Sequence, residues 1–397
     1  QFNIVMEEQK RTQVPYSLAA ITTYFLKLGT WGFGGPVALV GYMQRDLVEQ
    51  KGWITEEEYK EGLALAQLAP GPLAAQLGIY IGFVHYGLLG ATLTGLAFVL
   101  PSFIMVVLLG MAYQLFGGLA WMQAVFYGVG AAVIGIIAVS AYKLTIKSIS
   151  KLESAAIRSG WLLWLFYIIG IVVTVITQRE ELWLFLACGI LYMLIKAPPE
   201  WIRKPVALPA GIFVSTGFWN YEGKILEEIG WFFAKAGAFV FGSGLAIVPF
   251  LHGGVVKEFG WLTEGQFIDS VAVAMITPGP VVITVGFIGY LVAGFPGACV
   301  AALATFLPCY LFTVALAPSF KKIAANASIK AFVDGITAVV IGALVGSVIV
   351  IAMRTIKDIP TMLIAVAAVL GLVYIKKLQA PGIKLSSYLI HLGTKVY

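Results

Sequence analysis

Two triplets, Pro70-Gly71-Pro72 and Pro278-Gly279-Pro280, stand in the middle of the apolar runs LAQLAPGPLAAQLG and VAMITPGPVVITVG. Proline removes a backbone donor and clashes with the preceding turn, and glycine accepts nearly any backbone angle, so each triplet breaks a helix. In lipid, such a break persists only where protein or a water-filled cavity satisfies the freed backbone groups. Discontinuous helices near the bilayer midplane are where transporters of several folds hold substrate. A second broken element precedes each triplet: Phe33-Gly34-Gly35-Pro36 after Lys27, and Phe241-Gly242-Ser243-Gly244 after Lys235. A helix resuming after a break carries free N–H donors and about half a positive charge at its N-terminus, an arrangement that binds oxyanions. Four such ends can converge on one anion. The competing reading is that these glycines only allow helices to pack closely.

Other side chains can complete the chemistry. Lys27 and Lys235 lie inside apolar segments at matching positions. An ammonium at the bilayer centre costs about 2.5–3.5 kcal/mol, so each either faces an anion held at the break or snorkels to the interface. Gln67 and Gln76 flank the first break, and Thr277 and Thr284 the second, as neutral donors for an anion's shell. Glu61 and Asp269 recur nine residues before their prolines, about 13 Å along an ideal helix. They relay protons, lock a gate, or cap their segments at the interface. Arg45 faces a glycine, Gly253, at the matching position, which implies unequal access paths for the two halves. His85 and His252 read as solitary interfacial residues. Cys188, Cys299 and Cys309 read as core packing without metal-ligand or disulfide spacing. With no Walker A, HExxH or Ser/His/Asp grouping, no cofactor, no metal and no enzymatic activity are expected.

The elements that must position these residues are membrane helices. Of 397 residues, 60% are hydrophobic and 12% charged, with mean hydropathy +0.91, against about 45–50% and about 25% in a soluble domain. The net charge of +6 sits in Lys/Arg clusters between apolar runs, which reads as topology and not as a nucleic-acid surface. The start, QFNIVMEEQKRTQ, lacks the apolar core of a cleavable signal, and Met6 is a candidate native start. A span needs about 20 apolar residues. That rule marks 16–40, 62–84, 88–116, 122–142, 160–178 and 181–196, then 226–250, 267–292, 295–318, 330–353 and 360–376.

The chain repeats itself. Phe25, Gly29, Phe33 and Gly34 recur 208 positions later as Phe233, Gly237, Phe241 and Gly242, and Pro101, Gly128 and Gly135 recur at 207 as Pro308, Gly335 and Gly342. The expected architecture is an all-α polytopic membrane protein of two homologous halves. The first repeat covers 16–196 (a core of 16–142 plus two extra segments), followed by a linker at 197–224, a second repeat at 225–376 and a tail at 377–397. Lys143, Lys147, Lys151 and Arg158, then Arg203, Lys204 and Lys224, then Lys321, Lys322 and Lys330 place three connections in the cytoplasm. The fourth and tenth segments are repeat partners that would then run in opposite directions. The halves are therefore expected to be inverted-topology repeats, with one re-entrant segment per half and an outside N-terminus.

Phe33-Gly34-Gly35-Pro36, Trp53, Gln67 through Pro72, Gly78, Gly90-Ala91 and Leu100-Pro101-Ser102-Phe103 resemble the chromate ion transporter family, in its long two-repeat form. The resemblance covers roughly 16–142 and 226–353; in the second half Gly35-Pro36 becomes Ser243-Gly244 and Gln67 becomes Met275. It implies a secondary transporter in the cytoplasmic (inner) membrane that exports chromate, a tetrahedral dianion, and so confers resistance. Sulfate is an exchanged or competing ion, and the lipid bilayer and a second copy in a homodimer are further expected partners. The alternatives are a sulfate or general oxyanion carrier and a passive anion channel. On the site reading the ion is held by Lys27, Gly34, Gly35, Gln67, Pro70, Gly71 and Pro72 with Lys235, Gly242, Ser243, Gly244, Thr277, Pro278, Gly279 and Pro280. Glu61, Asp269 and Arg45 serve coupling or gating.

Overall fold

The computed structural model describes residues 15–33, 35–116, 120–146, 160–178, 182–199, 225–239, 247–320, 326–356 and 358–374. Their regular elements are helical. The first half has α1 (Leu18–Trp31), α2 (Gly35–Met43), α3 (Glu56–Leu68), α4 (Leu73–Phe116) and α5 (Ala120–Thr145). Two further helices, α6 (Gly160–Thr177) and α7 (Leu182–Lys196), precede the second half. That half has α8 (Ile225–Phe239), α9 (Ile247–Leu251), α10 (Glu264–Ile276), α11 (Thr284–Leu316), α12 (Ala327–Thr355) and α13 (Ile359–Tyr374). α3 and α10 match at the 208-residue spacing, and so do two π-helical turns, Gln44–Gln50 and His252–Glu258. Gly34, Gly242, Ser243 and Gly244 lie outside the described residues, as do most of 197–224 and the tail.

Local chemistry sets the helix starts. Thr55 caps α3 and Glu58 returns the bond to the Thr55 amide; Thr263 and Gln266 repeat this capping box at α10. Glu61 and Asp269 stand well inside these helices, so the caps are the threonines, which corrects the capping alternative for the carboxylates. The π-helical turns, which nothing in the hydropathy pattern announces, close in the same way in both halves. The Trp53 and Trp261 amides donate to Leu47 and Val255 oxygens, both at 2.8 Å.

The expected spans 16–40 and 62–84 are not single helices; each is a helical hairpin. In the first, Leu39 of α2 lies against Gly32, where an added methyl would meet it at 2.5 Å, and the Tyr24 hydroxyl donates to Asp46 at 3.3 Å. In the second, a methyl on Gly62 would lie 2.3 Å from the Tyr80 ring. Eighteen residues of continuous helix would separate these by about 27 Å. The chain therefore turns back at Pro70-Gly71-Pro72, and the break expected inside one span is the apex between two short antiparallel helices.

α4 then folds again. Gly87 has φ 59° and ψ −149°, and the Thr94 hydroxyl donates to the Gly78 carbonyl at 2.9 Å, which a straight helix would hold about 24 Å away. The arms 73–86 and 88–116 are antiparallel and touch through glycine: a methyl on Gly90 would sit 2.1 Å from the Gly82 oxygen. α11 repeats the fold at Gly294 (φ 62°, ψ −154°), with Gly289 and Gly297 in the same contact. The expected span 267–292 is likewise not one helix, since it takes in α10, the Pro278-Gly279-Pro280 turn and the short arm of α11, and 226–250 takes in both α8 and α9. The spans 122–142, 160–178, 181–196, 330–353 and 360–376 match single helices to within a few residues, and 88–116 and 295–318 match the long arms of α4 and α11.

The halves interlock. Thr92, near the start of the long arm of α4, hydrogen-bonds Tyr310, near the end of the long arm of α11, at 2.8 Å. Val99 and Phe306, midway along, pack against the same apolar cluster, so the two long arms run antiparallel. α6 lies parallel to α12, with Gly342 against Tyr167 and Gly346 against Ile171. α13 lies parallel to α5 in the same way, with Tyr127 bonded to Asp358 and Gly135 against Ala365.

The glycine contact of α4 gives a direct test. Gly90→Ala is expected to lower stability by at least about 1–3 kcal/mol, the usual cost of overpacking. Gly128→Ala, where an added methyl meets nothing within 4 Å, should leave it unchanged. Thermal melting of the two purified variants in detergent decides this, and equal melting would remove the hairpin contact.

Candidate substrate site at the hairpin tips

The two Pro-Gly-Pro turns reach the interior of the molecule. Residues 71–82 and 277–289 are buried throughout. Gly71 and Gly279 have φ of 142° and 98°, open to glycine and strained for any other residue. Each turn sits under the other half. A methyl on Gly71 would lie 3.0 Å from Cys309 Sγ, and one on Gly279 would lie 2.5 Å from Ser102 Oγ. Ser102 and Cys309 follow Pro101 and Pro308, so they are repeat partners 207 residues apart. Sequence reasoning gave Cys309 to core packing and Ser102 no role in the site. The repeat spacing was the signal that pairs them.

The second turn also meets the first hairpin of the first half. The Gly279 amide donates to the Gly32 carbonyl at 2.9 Å. Gly32 ends α1, immediately before the break that leads to Gly35. The second turn is thus joined directly to the first glycine break, through the C-terminal end of α1 and not through a helix N-terminus. The matching break in the second half, 240–246, lies outside the described residues.

The neutral polar groups at the turns are mostly engaged. Thr277 and Thr284 donate to Val273 and Val281 oxygens at 2.6 and 2.7 Å. Gln76 is wholly buried and its amide nitrogen donates to the Pro70 carbonyl at 2.8 Å. Gln67 is exposed and is not brought to the turn. The helix starting after Pro72 leaves its first N–H groups without intrahelical acceptors; after Pro280 the Ile283 amide already donates to the Pro280 carbonyl at 2.9 Å.

The charged candidates lie elsewhere. Lys27 is exposed, while Phe25, Leu28 and Gly29 on the same helix are buried. The Lys235 ammonium lies 5.8 Å from the Trp231 ring centre, directed back toward the start of α8 and away from its break. Arg45 pairs with Asp46 at 2.7 Å and lies over Tyr42, at the base of the first hairpin. Asp269 accepts from the Tyr113 hydroxyl at 2.7 Å, which ties α10 to the long arm of α4. His85 and His252 are not solitary. His85 meets Glu58 at 3.1 Å and Tyr16, and His252 meets Glu264 at 2.7 Å, so each binds a carboxylate in the first turn of a hairpin helix. A cleft of about 190 Å³ between α5, α6 and α12, lined by Tyr142, Thr145 and Tyr167, does not touch the turns.

These contacts separate two kinds of substitution. Cys309→Ser copies the residue at Ser102 and should keep both stability and anion flux. Gly279→Ala forces a side chain into a positive φ and onto Ser102, and should abolish flux while the protein still inserts. Lys27→Gln should leave apparent anion affinity unchanged. Flux into proteoliposomes and gel-filtration profiles check all three; full flux in Gly279→Ala would remove that turn from the site.

The chain matches the family described as Chromate transporter over residues 19–193 and 227–392, two segments that follow the internal repeat. It is 62% identical over 390 residues to the chromate transport protein of Cupriavidus metallidurans, covering 96% of this chain and 94% of that one. It is 58% identical over 362 residues to a probable chromate transport protein of Synechococcus elongatus, covering 90% of each. A chromate transport protein of Pseudomonas aeruginosa is 30% identical over 368 residues, covering 89% of this chain and 85% of that one. No solved structure matches. With two family segments spanning nearly the whole chain, it belongs to the chromate transporter family.

Proposed function

We propose that this chain is a secondary transporter of the inner membrane that carries chromate out of the cytoplasm. The hairpin turns hold the oxyanion and are exposed alternately to the two faces. The observation that carries the reading is the joining of buried turns from opposite halves, Gly279 to Gly32, beneath Ser102 and Cys309. α3 and the short arm of α4, at 13 and about 14 residues, reach about 20 Å, past the middle of a hydrocarbon core about 30 Å thick. Turns of this length arriving from the two faces meet near the midplane.

Topology follows from the hairpins. Lys143 ends α5, Lys196 ends α7 and Lys330 lies in the first turn of α12, which sets these ends in the cytoplasm. The long arm of α4 then runs outward, and Gly87 is cytoplasmic. Two expected spans before it return to their own face, where one was expected to do so, and the N-terminus is therefore inside, not outside. By the same reasoning α8 begins on the outer face. The antiparallel long arms support inverted repeats with two re-entrant hairpins in each half.

Burial of Gly71 and Pro72 in the first turn and of all of Pro278-Gly279-Pro280 in the second favours a carrier that occludes its ion over an open pore. The amides after Pro72 and Pro280 suit any tetrahedral oxyanion, so sulfate is the competitor to measure. The test is uptake of labelled chromate by proteoliposomes with and without an imposed potential and pH gradient. Saturable flux that responds to one of the gradients is expected. Flux that never saturates makes the protein a channel, and inhibition by equimolar sulfate as strong as by unlabelled chromate makes it a general oxyanion carrier. For the topology, Leu88→Cys and Phe295→Cys are exposed repeat partners beside the two glycine folds. In a background lacking the native cysteines, a membrane-impermeant maleimide should label Phe295→Cys in intact cells, and Leu88→Cys only after permeabilisation. Labelling of both from one side would exclude the inverted arrangement.

A further inference from the structure

The two turns differ in one buried atom. Gln76 has no exposed surface, and its amide nitrogen is committed to the Pro70 carbonyl. Among the described residues its Oε1 has no hydrogen-bond partner. Exchanging the amide oxygen and nitrogen would set two acceptors against each other, so the bond to Pro70 assigns which atom is left over. The amide packs on the turn itself, 2.8 Å from where a Gly71 methyl would stand. At the matching position in the second half, Thr284 is satisfied by Val281. An unpaired buried acceptor is destabilising. This one sits at a helix start whose N–H groups face the same turn. A fully deprotonated tetrahedral anion offers only lone pairs and would be repelled by Oε1.

We propose that the first turn binds its oxyanion in the singly protonated form, the ligand O–H donating to Gln76 Oε1 and its bare oxygens taking the amides that follow Pro72. The inference rests on the oxyanion reading above and adds its protonation state. One proton then travels with each oxyanion, so a single negative charge moves per cycle with no bond made or broken in the ion. It also supplies a basis for selectivity. Hydrogen chromate and chromate coexist near neutral pH, whereas sulfate is fully deprotonated there. A site built around a ligand O–H rejects analogues without one by up to about 10⁴–10⁵.

The titratable protein groups around this turn are few. Cys309 faces it from α11, Tyr80 lies on the short arm of α4 within the field of Glu61 and Glu58, and His85 pairs with Glu58 at the hairpin base. The experiment measures initial rates of chromate uptake in proteoliposomes across the pH range in which hydrogen chromate loses its proton. It uses the unmodified protein, His85→Gln and Gln76→Met, with sulfate and phosphate as competitors. In the unmodified protein KM should rise with pH on total chromate and stay constant when expressed as hydrogen chromate, and His85→Gln should behave alike. Phosphate, which keeps O–H groups, should compete well and sulfate poorly. Gln76→Met should raise KM about tenfold, equivalent to about 1.4 kcal/mol, and flatten the pH dependence. A pH-independent KM on total chromate, an unchanged KM in Gln76→Met (the amide then being served by a buried water), or a sodium requirement at every pH would each overturn the proposal. If Gln76→Met fails to insert, the pH profile and the competition in the unmodified protein decide. Absence of saturable chromate flux at any pH would instead overturn the transport reading itself.

Discussion

A backbone group without a partner in lipid costs several kcal/mol, and this chain creates such groups deliberately wherever a proline or glycine interrupts a helix. The rest of the molecule is arranged to satisfy them from within. The Gly279 amide finds the Gly32 carbonyl, and the Pro70 carbonyl finds the Gln76 amide. Both turns are covered by the long arm of the opposite half. Neither half can complete this alone, since each turn borrows its cover from the other. The two-repeat organisation is therefore a condition for having broken helices in the bilayer at all.

The same constraint explains the glycines. Gly82 with Gly90, and Gly289 with Gly297, let the two arms of α4 and of α11 approach backbone to backbone, so the chain doubles back without opening a gap beside a turn. Small-residue contacts of this kind are how helices associate where no hydrophobic driving force exists between them. The packing reading of the glycines is thus realised at the helix contacts, and the turn glycines are of a different kind. Those in the helices pack, and those in the turns are held open by positive φ.

Charge is kept away from the turns. Arg45 is tied to Asp46, Lys27 faces outward and Lys235 lies over Trp231. On the proposed reading, anion binding is left to amides and one buried glutamine. A fixed ammonium would hold a dianion too firmly for release and would have to be desolvated in every cycle, whereas helix-start amides attract the ion and return to water or protein partners when it leaves. The histidine–carboxylate pairs sit at the hairpin bases, one per half and on different residues: Glu58 with His85, Glu264 with His252. The two halves therefore share a backbone plan and differ in their ionisable groups.

Membrane residence, the two-fold repetition, the capping boxes at Thr55 and Thr263 and the identity of the breaking triplets were all legible in the amino-acid sequence. Each depends on composition or on spacing within one segment. The direction of the chain after each break was not. Pro70-Gly71-Pro72 is equally compatible with a kinked span and with a hairpin apex, and a hydropathy window counts 62–84 as one crossing in either case. Only the contacts of Gly62 with Tyr80 and of Thr94 with Gly78 decide it. Likewise the residues suited to an anion could be named in advance, but which of Gln67 and Gln76 is buried, and which atom of Gln76 remains unpaired, depends on partners far away in the chain. Sequence determines what each segment can satisfy by itself; the tertiary structure decides what is left over, because a backbone or amide group in lipid must find its partner wherever the fold brings one.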